Sequence, residues 1–377
     1  MTGAVRHYAP ATMSAPPSEP QPGTPLADGF RMPAEWEPHA GCWMIWPERP
    51  DNWRLGAKPA QAAFTVVADA ISRFEPVTML VSAGQYAQAR AALPIEVRVV
   101  EMSTDDCWVR DVGPTFLLDG HGTLAGVDWV FNAYGGLGSG LYFPWAQDDA
   151  VASKVLGLER ARRYRCPLVL EGGAVHTDGV GTLLTTEDVV LDPDRNPGWT
   201  RADATAVLRD HLGVQDVVWL PSGIPGDETG GHIDDLACFT SPGVVVLSWC
   251  DDPGDSHADV SHSAETALQA AGLEVHRIPM PPVLRFTAEE VSGIDRTPSG
   301  MLREPGGRLA ASYANFYIAD GAVIVPTFGV STDDEALDVL AGLFPGREVV
   351  GVPSREILLG GGNIHCITQQ QPASRTG

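Results

Sequence analysis

The sequence has no uninterrupted apolar run approaching the roughly 18 residues that a membrane helix needs, so a soluble chain is expected. Basic residues are scarce. Twenty-five Lys+Arg face 48 Asp+Glu, a formal net charge of −23. That balance argues against nucleic acid as a partner, because phosphate backbones are neutralised by Lys and Arg. It is compatible with a cationic partner, although net charge speaks mainly to solubility. Cysteine is sparse too: the six, at positions 42, 107, 166, 238, 250 and 366, lie far apart with no Cys-x-x-Cys. A disulfide scaffold would be shorter and denser in Cys, and a structural zinc site needs closely paired ligands. Six free thiols in a reducing cytoplasm are the expectation. The N-terminus lacks the apolar stretch of a signal peptide and carries six prolines, at 10, 16, 17, 20, 22 and 25. Residues 1–28 are therefore expected to form a disordered arm, 29–371 a single folded domain, and 372–377 a flexible tail.

What is present is ample core material: 44% of the 377 residues are apolar, enough for two ordinary domains or one large repetitive one. Five segments show helical periodicity. Phe64, Val67, Ile71 and Phe74 mark the first; Val151, Val155 and Leu158 the second; Ala204, Val207 and Leu208 the third, with Thr200 as its cap. Ala264, Ala267 and Leu268 mark the fourth, after Ser261, and Ala336, Leu340 and Leu343 the fifth, after Thr332. Each is followed by a strand-like run: VTMLVS at 77–82, CPLVLE at 166–171, VVWLP at 217–221, EVHRIP at 274–279 and EVVGVP at 348–353. Asp119-Gly120, Asp178-Gly179, Pro242-Gly243 and Asp320-Gly321 sit between apolar runs and read as hairpin turns. A fifth pair can form between GCWMIWP near the start and NIHCITQ near the end, closing the chain on itself. Strand, hairpin, helix and strand thus recur about five times, which points to an α/β fold built as a closed radial array.

The reactive side chains track that repeat. Asp111 lies eight residues before its hairpin turn, Glu171 seven and Asp234 eight, with His232 two residues earlier on the same strand face. Cys366 falls on the closing strand. Equivalent positions in a radial array converge on one axis, so these side chains are expected to meet, although 255 residues separate Asp111 from Cys366. Gly172-Gly173, Gly230-Gly231 and Gly360-Gly361-Gly362 let a substrate approach the backbone closely.

A thiol, an imidazole and three carboxylates form an unusual set. Carboxylates oppose thiolate formation and need a separate reason to be there; a cationic substrate supplies one. A planar guanidinium offers five N–H donors that two carboxylates can grip from both sides, leaving its central carbon open to sulfur. The His then protonates the departing nitrogen and later activates water. Such a site hydrolyses a guanidine through a covalent amidino-cysteine, without metal or other cofactor. Taken singly, each residue has a plainer role. Cys366 could be a small buried hydrophobe, His232 a structural histidine, Asp111 a partner of Arg110, Glu171 a turn residue and Trp108 core. Their shared place in the repeat reverses that judgement.

These residues sit in long recognisable stretches. They are MPAEWEPHAGCWMIWP at 32–47, WVRDVGPTF at 108–116, FNAYGGLGSGLYFPWAQDD at 131–149, EGGAVHTDG at 171–179, ETGGHIDD at 228–235, AASYANFYIADG at 310–321 and GGGNIHC at 360–366. Together they resemble the agmatine deiminases, within the guanidine-modifying (pentein) superfamily of five-bladed α/β propellers. The resemblance implies a pseudosymmetric propeller that hydrolyses agmatine to N-carbamoylputrescine and ammonia, within putrescine and polyamine metabolism, as a cytoplasmic homodimer or higher homo-oligomer. It implies Cys366 as nucleophile, His232 as general acid/base, Asp111 and Asp234 as the guanidinium grip, and Glu171 as the acidic partner of substrate and proton transfer. It also implies Trp108 as a pocket wall and Glu228 as the residue facing the far ammonium. The chain departs from the family pattern at Cys42, where Thr is expected, and at Asp235, where Asn is common.

Three other readings share these residues. A deiminase of free or peptidyl arginine uses the same chemistry, but for free arginine it needs a cation for the α-carboxylate; Arg110, Arg285, Arg303 and Arg308 are available. A metal hydrolase could use His232, Asp234, Asp111 and Glu171 as ligands, although the spare thiol and the lack of a two-His motif weigh against it. A non-catalytic binding protein on the same fold would lack the thiol–imidazole pair that is present here.

Overall fold

Each of the five helical periodicities becomes a crossover between two parallel strands in the computed structural model, which describes residues 19–298 and 300–374. Helix Lys58–Ser72 joins strands His39–Ile45 and Val77–Val81, and Val151–Leu158 joins Leu124–Val130 and Arg162–Val169. Arg201–Leu212, Ser256–Ala270 and Asp333–Leu343 make the corresponding connections in three further sheets. The first strand of every crossover also pairs antiparallel on its other edge: with Gln369–Pro372, Thr115–Asp119, Val175–Thr177, Ala237–Ser241 and Tyr317–Ala319 respectively. The four expected turns close four of these pairs. The chain's two ends make the fifth, with Gln369 opposite Trp43. Five small sheets on one plan therefore stand in place of two unlike domains.

The packing explains why the periodicity was visible. Each crossover helix buries its apolar stripe in a core that its own sheet shares: Phe64 and Ile71 cluster with Met44 and Met79, Leu208 and Leu212 with Val175 and Leu183. Leu268 packs with Val245 and Leu247, and Leu340 with Val323 and Val325. Thr200 caps its helix through a reciprocal box with Asp203.

Three expectations need correction. Ser261 does not start the fourth helix; Asp255 caps it at Ser256, and the Ser261 hydroxyl donates to the His257 carbonyl from within the helix. The closing strand starts at Gln369, so Cys366 lies in the turn before it rather than on it. Of the arm expected over 1–28, residues 1–18 lie outside the described residues. The following segment is ordered: Leu26–Asp28 forms a 3-10 turn, and Asp28 accepts from the Tyr164 hydroxyl at 2.5 Å. Phe30–Arg31 then adds an edge strand to the second sheet. At the far end Pro372 is still paired with His39, while 375–377 lie outside the described residues. Among the described residues no helix is long and apolar enough to cross a membrane.

Leu208 is fully buried between helix Arg201–Leu212 and the third sheet. Leu208→Ala is expected to cost about 2–5 kcal/mol of stability through lost burial and a residual cavity, read as a lowered denaturation midpoint.

Candidate active site

Every sheet sends one short turn toward the same interior point, just ahead of the first strand of its antiparallel pair. Asp111 lies in the helical turn Val109–Val112, Glu171 leads the 3-10 turn Gly172–Ala174, and His232 leads Ile233–Asp235, which contains Asp234. Cys366 lies in the turn at 364–367. His232 and Asp234 therefore do not share a strand face. Asp227 accepts from the backbone N–H groups of Gly231 and His232, at 3.0 and 2.8 Å, and holds this stretch in a turn, so extended backbone begins only at Ala237.

The sequence-predicted cluster does assemble. Asp111 Oδ1 lies 3.8 Å from His232 Nδ1, and Glu171 Oε2 lies 3.6 Å from His232 Nε2. Cys366 Sγ is 3.8 Å from Asp234 Oδ2. The meeting point is marked by Gly173. A Cβ placed there would sit 2.6 Å from His232 Nδ1 and 2.9 Å from both Asp111 Oδ1 and Asp234 Oδ2. The glycines expected to admit substrate thus first make room for the site's own side chains. Gly362 does the same, since its Cβ would lie 2.8 Å from the Trp108 ring and 3.0 Å from the thiol.

Burial sets the electrostatics. It disfavours charge on His232, yet Asp111, Glu171 and Asp234 hold the imidazole's pKa up at about 10. It also works against ionised Glu171, but Arg195, 3.0 Å away, and His232 hold that carboxyl down to about 2. Among the described residues Asp111 has no guanidinium partner. Burial, aided by Asp234 and Glu171 and opposed by His232, pushes it up to about 6. Asp234 is also disfavoured by burial but is held below the usual carboxylate range by His365, which donates from Nδ1 at 2.7 Å. Burial and the Asp234, Asp235 and Asp111 charges push the Cys366 thiol well above its ordinary value. Both ring nitrogens of His232 and the Oδ1 atoms of Asp234 and Asp235 are buried without a hydrogen-bond partner among the described residues. Such orphans are costly and point to a ligand that satisfies them.

A cleft with about 260 Å³ of empty space leads in, lined by Trp108, Asp111, Tyr134, Glu228 and Cys366 among others. Trp108 therefore is a wall, backed by Trp53 at 5.3 Å between ring centroids. Glu228 lines the same cleft, but both its oxygens accept from Arg303, at 2.8 and 2.6 Å. The arginines offered as carboxylate receptors are engaged: Arg110 with Glu35 at 3.0 Å, Arg308 with Asp255 at 2.6 Å, and Arg285 with the Gly306 carbonyl at 2.9 Å. Arg110 does not pair with Asp111 as its neighbourhood in sequence suggested. As for a metal, the four residues of the metal reading are not grouped as a ligand cage. Glu171 is tied to Arg195, and Asp111 accepts from the Tyr134 hydroxyl and the Gly173 N–H, at 2.8 and 3.0 Å. Glu35, His176 and His365 do bring ligand atoms together, but the Arg110 guanidinium already supplies the cation there.

Sequence reasoning missed Arg195, Tyr134, His365 and Glu35, all held in place by contacts between distant segments. It also missed Asn315, which precedes the fifth antiparallel pair as Asp111, Glu171 and Asp234 precede theirs but lies five residues before its Asp-Gly turn instead of seven or eight, so the spacing of the repeat did not point to it.

A family profile described as Porphyromonas-type peptidyl-arginine deiminase matches residues 31–372. The agmatine deiminase of Pseudomonas aeruginosa is 55% identical over 360 residues, covering 93% of this chain and 98% of that protein. The agmatine deiminase of Pseudomonas putida is 54% identical over 358 residues, covering 93% and 97%. Among solved structures, the agmatine deiminase of Enterococcus faecalis matches with a TM-score of 0.90 at 47% identity, over 94% of this chain and 98% of that one. The chain belongs to the Porphyromonas-type peptidyl-arginine deiminase family, together with the agmatine deiminases it matches over nearly its whole length.

Proposed function

We propose that this protein hydrolyses agmatine to N-carbamoylputrescine and ammonia through an amidino-cysteine formed on Cys366. The observation that carries the reading is the unpartnered buried Oδ1 of Asp234 beside a thiol, an imidazole and two further carboxylates. A guanidinium satisfies the carboxylates on both sides, with Asp111 and Asp234 taking its N–H groups. Its charge offsets the negative field that opposes ionisation of Cys366 and favours the thiolate. The sulfur lone pair then forms a bond to the central carbon, and His232 gives its proton to a terminal nitrogen, which leaves as ammonia. Neutral His232 next takes a proton from water. The resulting hydroxide adds to the amidino carbon, the C–S bond breaks with its electron pair returning to sulfur, and the hydroxyl proton passes to solvent as the neutral ureido product leaves. Glu171, fixed by Arg195, keeps His232 charged for the first half of this cycle.

Agmatine is favoured over arginine because the arginines lining the cleft and its mouth are already paired, Arg303 with Glu228 and Arg49 with Asp51. Glu228, whose carboxylate keeps lone pairs beyond the two taken by Arg303, and the Trp108 wall remain the proposed contacts of the ammonium end and the alkyl chain. A homo-oligomer in the cytoplasm belongs to the same proposal and rests on the family resemblance alone.

Cys366→Ala should lower turnover on the order of 10⁴-fold or more while the protein stays folded, and enzyme quenched during turnover should carry an amidine adduct mapping to Cys366 by mass spectrometry. An adduct on Cys42 or Cys107 overturns the assignment. In side-by-side kinetics kcat/KM should be larger on agmatine than on arginine, and the reverse order ends the agmatine reading. The pH profile follows from Asp111. As pH falls through about 6 the carboxyl takes up a proton and loses the charge that grips the cation, so kcat/KM should decline on that limb. In Asp111→Asn that limb should disappear along with most activity.

A further inference from the structure

Four of the five turns deliver groups already assigned above; the fifth, ahead of Tyr317–Ala319, delivers Asn315, which is fully buried. The orientation of its amide is dictated by its neighbours. Oδ1 lies 2.9 Å from the backbone nitrogen of His365 and 3.4 Å from that of Cys366. Both are obligatory donors, so the atom facing them is the carbonyl oxygen and the other is the NH₂ group. That NH₂ lies 3.1 Å from Cys366 Sγ. The remaining side-chain contacts of the sulfur are Asn315 Oδ1 at 3.5 Å and Asp234 Oδ2 at 3.8 Å, both acceptors that can receive the thiol proton but repel a thiolate.

We propose that Asn315 is a catalytic residue, donating a hydrogen bond to the Cys366 sulfur that stabilises the thiolate before attack and again as the C–S bond breaks. The proposal rests on the covalent mechanism given above. When sulfur attacks, its lone pair enters the new bond and the amide contact weakens. When hydroxide displaces it, the pair returns to sulfur and the contact is regained, so the donor assists departure of the leaving group. The need is local. The charged groups that oppose ionisation of the sulfur are Asp234 and Asp235 from the fourth unit's turn and Asp111 from the second's; His365 is bonded to Asp234, and the Asn363 backbone N–H is the main-chain contact that favours the thiolate. Among the described residues the Asn315 amide is the side chain seen donating to this sulfur.

The test needs no substrate: the pH dependence of Cys366 alkylation by iodoacetamide, followed by peptide mass spectrometry, in native enzyme, Asn315→Ala and the near-isosteric Asn315→Leu. Both uncharged variants should move the alkylation midpoint up by about one pH unit or more, and lower kcat on agmatine about tenfold or more with KM little changed. If either variant folds poorly, as judged by circular dichroism, the other carries the measurement. A midpoint within about 0.3 unit of native overturns the proposal. Failure of the native enzyme to act on agmatine would instead remove the proposed substrate and leave the alkylation result standing.

Discussion

The structure depends on charge held away from water at one point, where Asp111, His232 and Asp234 crowd around the missing side chain of Gly173 and Glu171 faces the far ring nitrogen of His232. Burying an ionised carboxylate is expensive unless it is paired and hydrogen-bonded. Here the pairing is graded. Glu171 has Arg195, Asp234 has His365, and Asp111 has only a phenol, a backbone amide and the His232 ring beyond bonding distance. That grading leaves the site incomplete without a cation, and the shifts of Asp111 up and Glu171 down are its direct expression.

A supporting layer keeps the incomplete site in shape. Glu35, from the motif near the start of the fold, accepts from Arg110 and faces His365 Nε2 at 2.9 Å, while His365 Nδ1 holds Asp234. Asn315 ties the same turn through the backbone of His365 and Cys366. The first, second, fourth and fifth sheets are thus locked together through side chains that bond to one another. The groups aimed at substrate are left unpaired, and rigid neighbours stop them from relaxing to find partners.

Much of this was legible in the sequence, for two physical reasons. Amphipathic crossovers such as Arg201–Leu212 bury a stripe on their own sheet, so the 3.6 period survives in the residues. Tight hairpins need Asp-Gly or Pro-Gly at their tips, so the repeat could be phased. Phasing brought Asp111, Glu171, Asp234, His232 and Cys366 to one axis, as the structure has them. It misplaced His232, Asp234 and Cys366 on strands, because the turn at Ile233–Asp235 is set by Asp227 and the one before Gln369 by contacts with other units rather than by local periodicity. The plainer role given to Arg110 failed for a related reason: adjacency to Asp111 in the chain puts the two side chains on different sides of a helical turn, and Glu35, 75 residues away, is the partner.

The sequence by itself determined the repeating unit, the closure of the chain end to end and the inventory of reactive groups, because these follow from local periodicity, turn chemistry and composition. Tertiary structure alone decided which charges are neutralised and which are left for a ligand. The distances that settle it, from Arg195 to Glu171, His365 to Asp234 and Asn315 to Cys366, join segments 24, 131 and 51 residues apart, and no local pattern encodes a contact made only when separate sheets close on a common axis.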